Sequence, residues 1–140
     1  VFTGDGLRYF GELQQRIYRE NAGETFNEAR HKKLLEYPLL SSHVISIGMK
    51  RSDKDLPEVE EIEAVACAVE NMFLSVTAYG LGSYWTSAGI TYMDSSKTFF
   101  NLEADDKLLG FFYIGYVAKP YTKDSKRRPI TEKVEWKDSY

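Results

Sequence analysis

Residues 80–89 read Gly-Leu-Gly-Ser-Tyr-Trp-Thr-Ser-Ala-Gly, so two large aromatics, Tyr84 and Trp85, are followed by side chains small enough to leave the backbone bare. Small residues after a glycine-terminated helix let backbone N–H groups approach a flat ligand closely. Farther along, Lys123, Lys126, Arg127 and Arg128 form a basic cluster, and arginine grips phosphate with a matching fork of donors. Taken together, the two stretches suit a ring-plus-phosphate ligand such as a nucleotide or a flavin. A well-packed turn and a solvated basic tail is the more economical reading of these residues alone.

Other chemistries find little support. The chain's two histidines, His31 and His43, stand in unlike settings and show no zinc-type spacing with cysteine, so no metal site is expected. His31 reads as a solvated helix residue and His43 as an ordinary polar residue at a strand edge. Cys67, the single cysteine, lies among alanines and valines, an apolar helix interior unsuited to a nucleophile. The acids between Glu58 and Glu63 read as a helix N-terminus meeting solvent. No Walker loop, no Gly-x-Gly-x-x-Gly after a strand and no nucleophile elbow appears. A formal charge of −3 argues against a nucleic-acid binder that relies on phosphate neutralisation.

The elements that would position these residues follow from periodicity. At 140 residues the chain is one domain's worth, with enough apolar content for a core. Asp5 is placed to cap a helix over about residues 6–20, with Leu7, Phe10, Leu13 and Ile17 on one face. A second helix over residues 28–37 is expected to stop before Pro38. Residues 43–50 have the dense apolar pattern of a buried strand. Pro57 fits the first position of a long helix over residues 58–79, with a stripe of Ile62, Val65, Ala66, Val69, Met72, Phe73 and Val76. Ala64, Cys67, Ala68 and Leu74 widen that surface beyond one face, which calls for burial on several sides, by this domain or by a second subunit.

Gly80 should end that helix, and residues 82–86 form a short strand. Asp94 should cap a short helix to about residue 102, and residues 107–118 make the best candidate for a central strand. Residues 129–136 read as an extended, half-apolar arm beyond the basic linker, of a kind that docks on a neighbour. The whole is α+β. No apolar run reaches the ~20 residues of a membrane helix. With no leader pattern and a lone cysteine, a cytoplasmic protein is expected.

Three of these pieces, in this order, resemble the FMN-dependent nitroreductase family. They are the alanine-rich helix with its central Asn71 that ends in Gly-Leu-Gly-Ser and an aromatic, the segment Asp105–Pro120 running into Ile-Gly-Tyr, and Lys126–Trp136. The resemblance covers somewhat over half the chain. It implies a nitroreductase-like fold in which a small, mostly antiparallel mixed sheet is flanked by helices, with a long central dimer-interface helix and an extended C-terminal arm. It implies a single domain over residues 1–140 lacking its N-terminal segment, because the family's Arg-Arg-Ser-like start has no counterpart here.

By the same resemblance the protein is a homodimer with FMN at the subunit interface. It is an oxidoreductase that takes hydride from NAD(P)H and passes it to a small aromatic acceptor, a nitroaromatic or quinone, in ping-pong order. Trp85 and Thr86 would line the flavin ring. Ser87 and Ala88 would offer N–H groups to its edge, and Lys126 with Arg128, or Arg127 in a competing register, would hold the phosphate. Tyr84 and Tyr92 would shape the substrate slot, and no protein acid or base would be required. A flavin-binding protein of the same fold without turnover, or a cofactor-free dimeric interaction module, are the alternatives.

Overall fold

The computed structural model describes residues 1–52, 55–119 and 127–138. Strand β1 (Phe2–Thr3) leads into helix α1 (Asp5–Ala22), then α2 (Glu28–Leu39), β2 (His43–Met49), α3 (Glu58–Ala78), β3 (Gly82–Thr86), the short α4 (Asp94–Lys97) and β4 (Lys107–Gly115). The sheet runs β1-β2-β4-β3. Each of its three pairings is antiparallel, so no parallel pair occurs among the described strands.

The expected central strand is β4, flanked on both sides and apolar on both faces. One face meets α1, where Leu7, Phe10, Leu13 and Ile17 form the predicted stripe and pack with Val44, Leu108 and Phe111. The other face meets α3, where Val65, Val69, Met72, Phe73 and Val76 pack with Ile47 and Phe112. Two adjacent phenylalanines thus belong to two cores. Phe111 lies edge-on to Phe10 with ring centroids 4.9 Å apart, and Phe112 lies edge-on to Phe73 at 4.8 Å.

Strict alternation would put Leu108 and Phe111 on opposite faces. A bulge prevents this: Ile47 pairs with Gly110 and Gly48 with Leu108, which leaves Leu109 as the extra residue. The inserted residue resets the phase, so both side chains reach the α1 core. Gly110 has φ +118°, and a Cβ there would run into the carbonyl oxygen of Thr86 on β3. The bulge therefore also fixes how closely the end of β3 approaches the central strand.

Several sequence expectations are corrected. Helix α2 continues through Pro38 to Leu39, because the proline sits in the last turn and its missing N–H costs only the bond to the Leu34 carbonyl. That carbonyl instead accepts from Gln14 Nε2 at 3.2 Å, which ties α2 to α1. Asp5 and Asp94 sit inside the first turns of their helices rather than capping them; neither helix has a side-chain cap. Asn27 caps α2 instead, its Oδ1 accepting from Arg30 N–H at 2.9 Å. Pro57 occupies the cap position of α3, one residue before the helix proper. The strand predicted over residues 107–118 ends at Gly115.

His31 is buried, its ring tilted against those of Tyr18 and Phe26, with Gln15 Nε2 donating to its carbonyl oxygen at 3.0 Å. Cys67 is exposed rather than interior, because α3 meets the sheet along a single stripe and Cys67 lies off it. Val59, Ala64, Ala68 and Leu74 of that helix are exposed, uncovered among the described residues. As predicted, α3 ends at Gly80, where Gly80 N–H donates to Thr77 O and Leu81 N–H to Val76 O. Residues 130–132 form a 3-10 turn inside the expected extended arm, and all the described arm residues, 127–138, are exposed.

Replacing Gly110 with alanine should destabilise the chain by more than ~2 kcal/mol, since the substitution combines a left-handed backbone with a backbone clash. A urea unfolding curve checks this, and an unchanged midpoint would show that the bulge does not hold β3 against β4.

Candidate functional site

On the α1 side of the sheet, β3 borders a cavity that residues of α1 and α2 help to line. The edge-strand residues of that face are Tyr84 and Thr86, because side chains alternate along β3 and Trp85 must point the other way. Tyr84 pairs across the strands with Tyr113, and Trp85 with Phe112. A cavity of about 440 Å³ opens here, within the ~300–1,000 Å³ range of small-molecule sites. Its floor is Tyr84, Thr86 and Tyr113. Gln14 and Leu34 close one side, and Arg30, Lys33 and Tyr37 of α2 stand along the rim with Ser41; Ala88 and Gly89 supply the opposite wall.

The wall at residues 86–91 is held from several directions. Ala88 N–H donates to Thr86 Oγ1 at 3.1 Å, and Thr91 Oγ1 donates to Ala88 O at 2.9 Å. Arg30 Nη2 donates to Gly89 O at 3.2 Å while its guanidinium lies over the Tyr18 ring. Gly89 has φ +72°, and a Cβ there would stand 2.7 Å from Gln14 Oε1 and 3.3 Å from Leu34 Cδ2. Any larger residue would push into the cavity's inner corner.

Gln14 is the hub of the inner wall. Its amide nitrogen satisfies the Leu34 carbonyl that Pro38 leaves free, and its side chain also hydrogen-bonds the Tyr113 hydroxyl. Burial pushes that hydroxyl up to about 12, against a partial pull downward from the Gln14 hydrogen bond and a further rise from Tyr84. Tyr113 therefore stays a neutral hydrogen-bonding phenol at any physiological pH. The cavity offers a flat, largely apolar slot with phenol rings on its sides, small residues at one wall and only cationic charge at its rim, a lining that accepts a planar heteroaromatic ring.

Of the residues singled out in the sequence, Tyr84, Thr86 and Ala88 are brought together in this cavity. The Trp85 side chain is not among them; it packs on the opposite face with the α3 core, where its Nε1 is buried with no hydrogen-bond partner among the described residues. Ser87 is exposed beside Ala88, and the Ala88 N–H expected to face a ring already donates to Thr86 Oγ1. Tyr92 is 82% exposed and does not line the cavity. Arg127 and Arg128 are exposed on the arm, away from the cavity lining, and Lys123 and Lys126 lie outside the described residues. Sequence reasoning missed Gln14, Arg30, Lys33, Tyr37 and Tyr113. The spacing of Arg30, Lys33 and Tyr37 on one helical face was the available signal. Among the described residues no cluster of His, Cys, Asp and Glu could hold a metal ion, and no helix is long and apolar enough to cross a membrane.

Comparison with known proteins gives a consistent picture. The sequence matches the Nitroreductase family over residues 2–116. The "Putative NAD(P)H nitroreductase YdjA" of Escherichia coli strain K12 is 25% identical over 118 residues, covering 82% of this chain and 62% of its own length. The protein of the same name from strain O157:H7 matches equally. This chain thus spans less than two thirds of the length of the curated relatives it matches. A nitroreductase-like family protein from Bacillus cereus superposes with a TM-score of 0.80 at 24% identity, covering 99% of this chain and 71% of that one. At that identity the likeness is one of fold.

A raised phenol pKa means that the folded chain holds the Tyr113 proton more tightly than the unfolded chain. The stability this contributes is fully present below about pH 10, the ordinary tyrosine value, and is lost as pH rises toward about 12. Tyr113→Phe should therefore flatten part of the alkaline loss of stability between those values. Superimposable stability-versus-pH curves for the two proteins would contradict the assignment.

Proposed function

The chain belongs to the nitroreductase family, and from that premise we propose that it acts as a cytoplasmic NAD(P)H-dependent FMN oxidoreductase that reduces nitroaromatic or quinone-like acceptors in ping-pong order. The observation that carries this reading is the family match, which spans the turn at residues 84–89 and every residue lining the cavity beside it. When bound, FMN supplies the hydride chemistry, accepting from NAD(P)H and passing electrons to the acceptor.

The chain's own contribution is placement and electrostatics. Thr86, Ser87 and Ala88 would lie along the ring edge, with the Thr86 hydroxyl and the Ser87 N–H as the polar contacts and Ala88 N–H held by Thr86 Oγ1, while Trp85 braces the strand from behind by packing into the α3 core. Preorganised N–H dipoles of this kind favour the charge that develops on a reduced ring. Arg127 and Arg128, with Lys126, would hold the phosphate, the arm folding toward the ring. Tyr84 would bound the acceptor slot. Among the described residues the lining contains no carboxylate and no histidine. The bare outer side of α3 is the surface a second copy would cover in a homodimer.

Purified protein should show flavin absorbance, or take up added FMN, and the absorbance should bleach with NADH or NADPH under anaerobic conditions and return on adding a nitroaromatic. A protein that stays colourless with excess FMN would end the reading, and bound flavin that resists NAD(P)H would leave a flavin-binding protein without turnover. Arg127→Ala combined with Arg128→Ala should weaken FMN binding by about tenfold or more while the fold is retained, since each arginine offers charge-assisted hydrogen bonds. Unchanged FMN affinity would remove the arm from the site.

A further inference from the structure

Charge at the cavity is one-sided. Among the described residues, Arg30 and Lys33 are the only charged groups in the lining, and both are positive. The carboxylates nearest in sequence are turned to other partners: Glu36 pairs with Lys32 at 3.5 Å, and Glu28 lies 3.9 Å from His31 Nδ1. Arg30 is committed to Gly89 O and to the Tyr18 ring. Lys33 forms no ion pair among the described residues, and it lines the cavity together with Tyr37, Tyr84 and Tyr113.

We propose that this cavity selects small aromatic carboxylates, the ring lying among the three phenols and the carboxylate meeting Lys33 at the rim, with Arg30 adding to the positive field. The phenol faces supply stacking surface to a flat ring of any charge. Lys33 and Arg30 supply the discrimination, because a cationic rim with no acid nearby favours an anion and repels an amine. A carboxylate meeting the Lys33 ammonium forms a charge-assisted hydrogen bond that a neutral amide cannot match. Thr86 and Ala88 form the far end of the same slot, so a ring held by its carboxylate at Lys33 points its opposite edge toward the turn at residues 86–88. As an account of the acceptor, this rests on the flavin reading above. As an account of binding, it does not, since it is carried by the cavity's own charge and shape.

The test compares 4-nitrobenzoate with its neutral isostere 4-nitrobenzamide by isothermal titration at pH 7, without any reductant. Nitrobenzoate should bind about tenfold more tightly, the equivalent of one charge-assisted contact. The preference should shrink as salt is raised from low to physiological strength. Lys33→Gln, a solvent-facing change, should bring nitrobenzoate close to the affinity of nitrobenzamide while leaving nitrobenzamide unchanged. Equal affinities in the unmodified protein, a preference that survives Lys33→Gln undiminished, or no saturable binding of either compound would each overturn the proposal. Flavin content and NAD(P)H bleaching, measured on the same preparation, report separately on the oxidoreductase reading: a preference for nitrobenzoate in a colourless protein would sustain the cavity's selectivity while the flavin reading fails.

Discussion

The one-residue bulge at Leu109–Gly110 sets which side chains of β4 reach each face of the sheet, and both cores depend on that choice. Without the phase shift, Leu108 would leave the α1 core that Phe111 occupies, and one of the two helical layers would lose an apolar partner. The same bulge brings the Thr86 carbonyl against Gly110, where only a glycine fits. The end of β3 is thus located by a backbone contact as well as by the packing of Trp85 into the α3 core. The candidate site begins at that strand end, so the feature that phases the core also sets the height of the turn beside the cavity.

A second link runs through Pro38. A proline in the last turn of α2 frees the Leu34 carbonyl, Gln14 fills the vacancy, and Gln14 in turn braces Tyr113 and crowds Gly89. That proline in the last turn of α2 thereby shapes the inner wall of the cavity. Arg30 completes the frame by joining α2 to the Gly89 carbonyl. The site is consequently a junction of three elements, α1, α2 and the turn after β3, resting on β4, and its rigidity comes from polar contacts that are satisfied within the chain.

Much of the fold could be read from periodicity. The stripes on α1 and α3, the buried strands and the glycine stop after α3 all appear where the apolar spacing puts them, because each reflects a single local rule. What escaped was set by tertiary context. Whether Pro38 ends a helix depends on whether another side chain can use the freed carbonyl. His31 looked solvated because its partners, Tyr18 and Phe26, come from other segments. Of the candidate site, the turn was legible as small residues following aromatics. Strand alternation could have separated Trp85 from Tyr84 and Thr86, whereas Gln14 and Tyr113 become site residues only once α1 and β4 are brought together. Cys67 and the outer side of α3 carry the opposite lesson: a helix apolar on several sides is covered on only one of them by its own chain.

The central claim is that the turn at residues 84–89, fixed by the bulge and lying beside the phenol-lined cavity, is where a planar cofactor rests. Amide hydrogen exchange with and without added FMN tests this directly, because it reports the segment protected and not merely that binding occurs. The account predicts slowed exchange concentrated in residues 84–89, with the α1 and β4 core unchanged. FMN binding that leaves those amides at their original rates and protects another segment would contradict it.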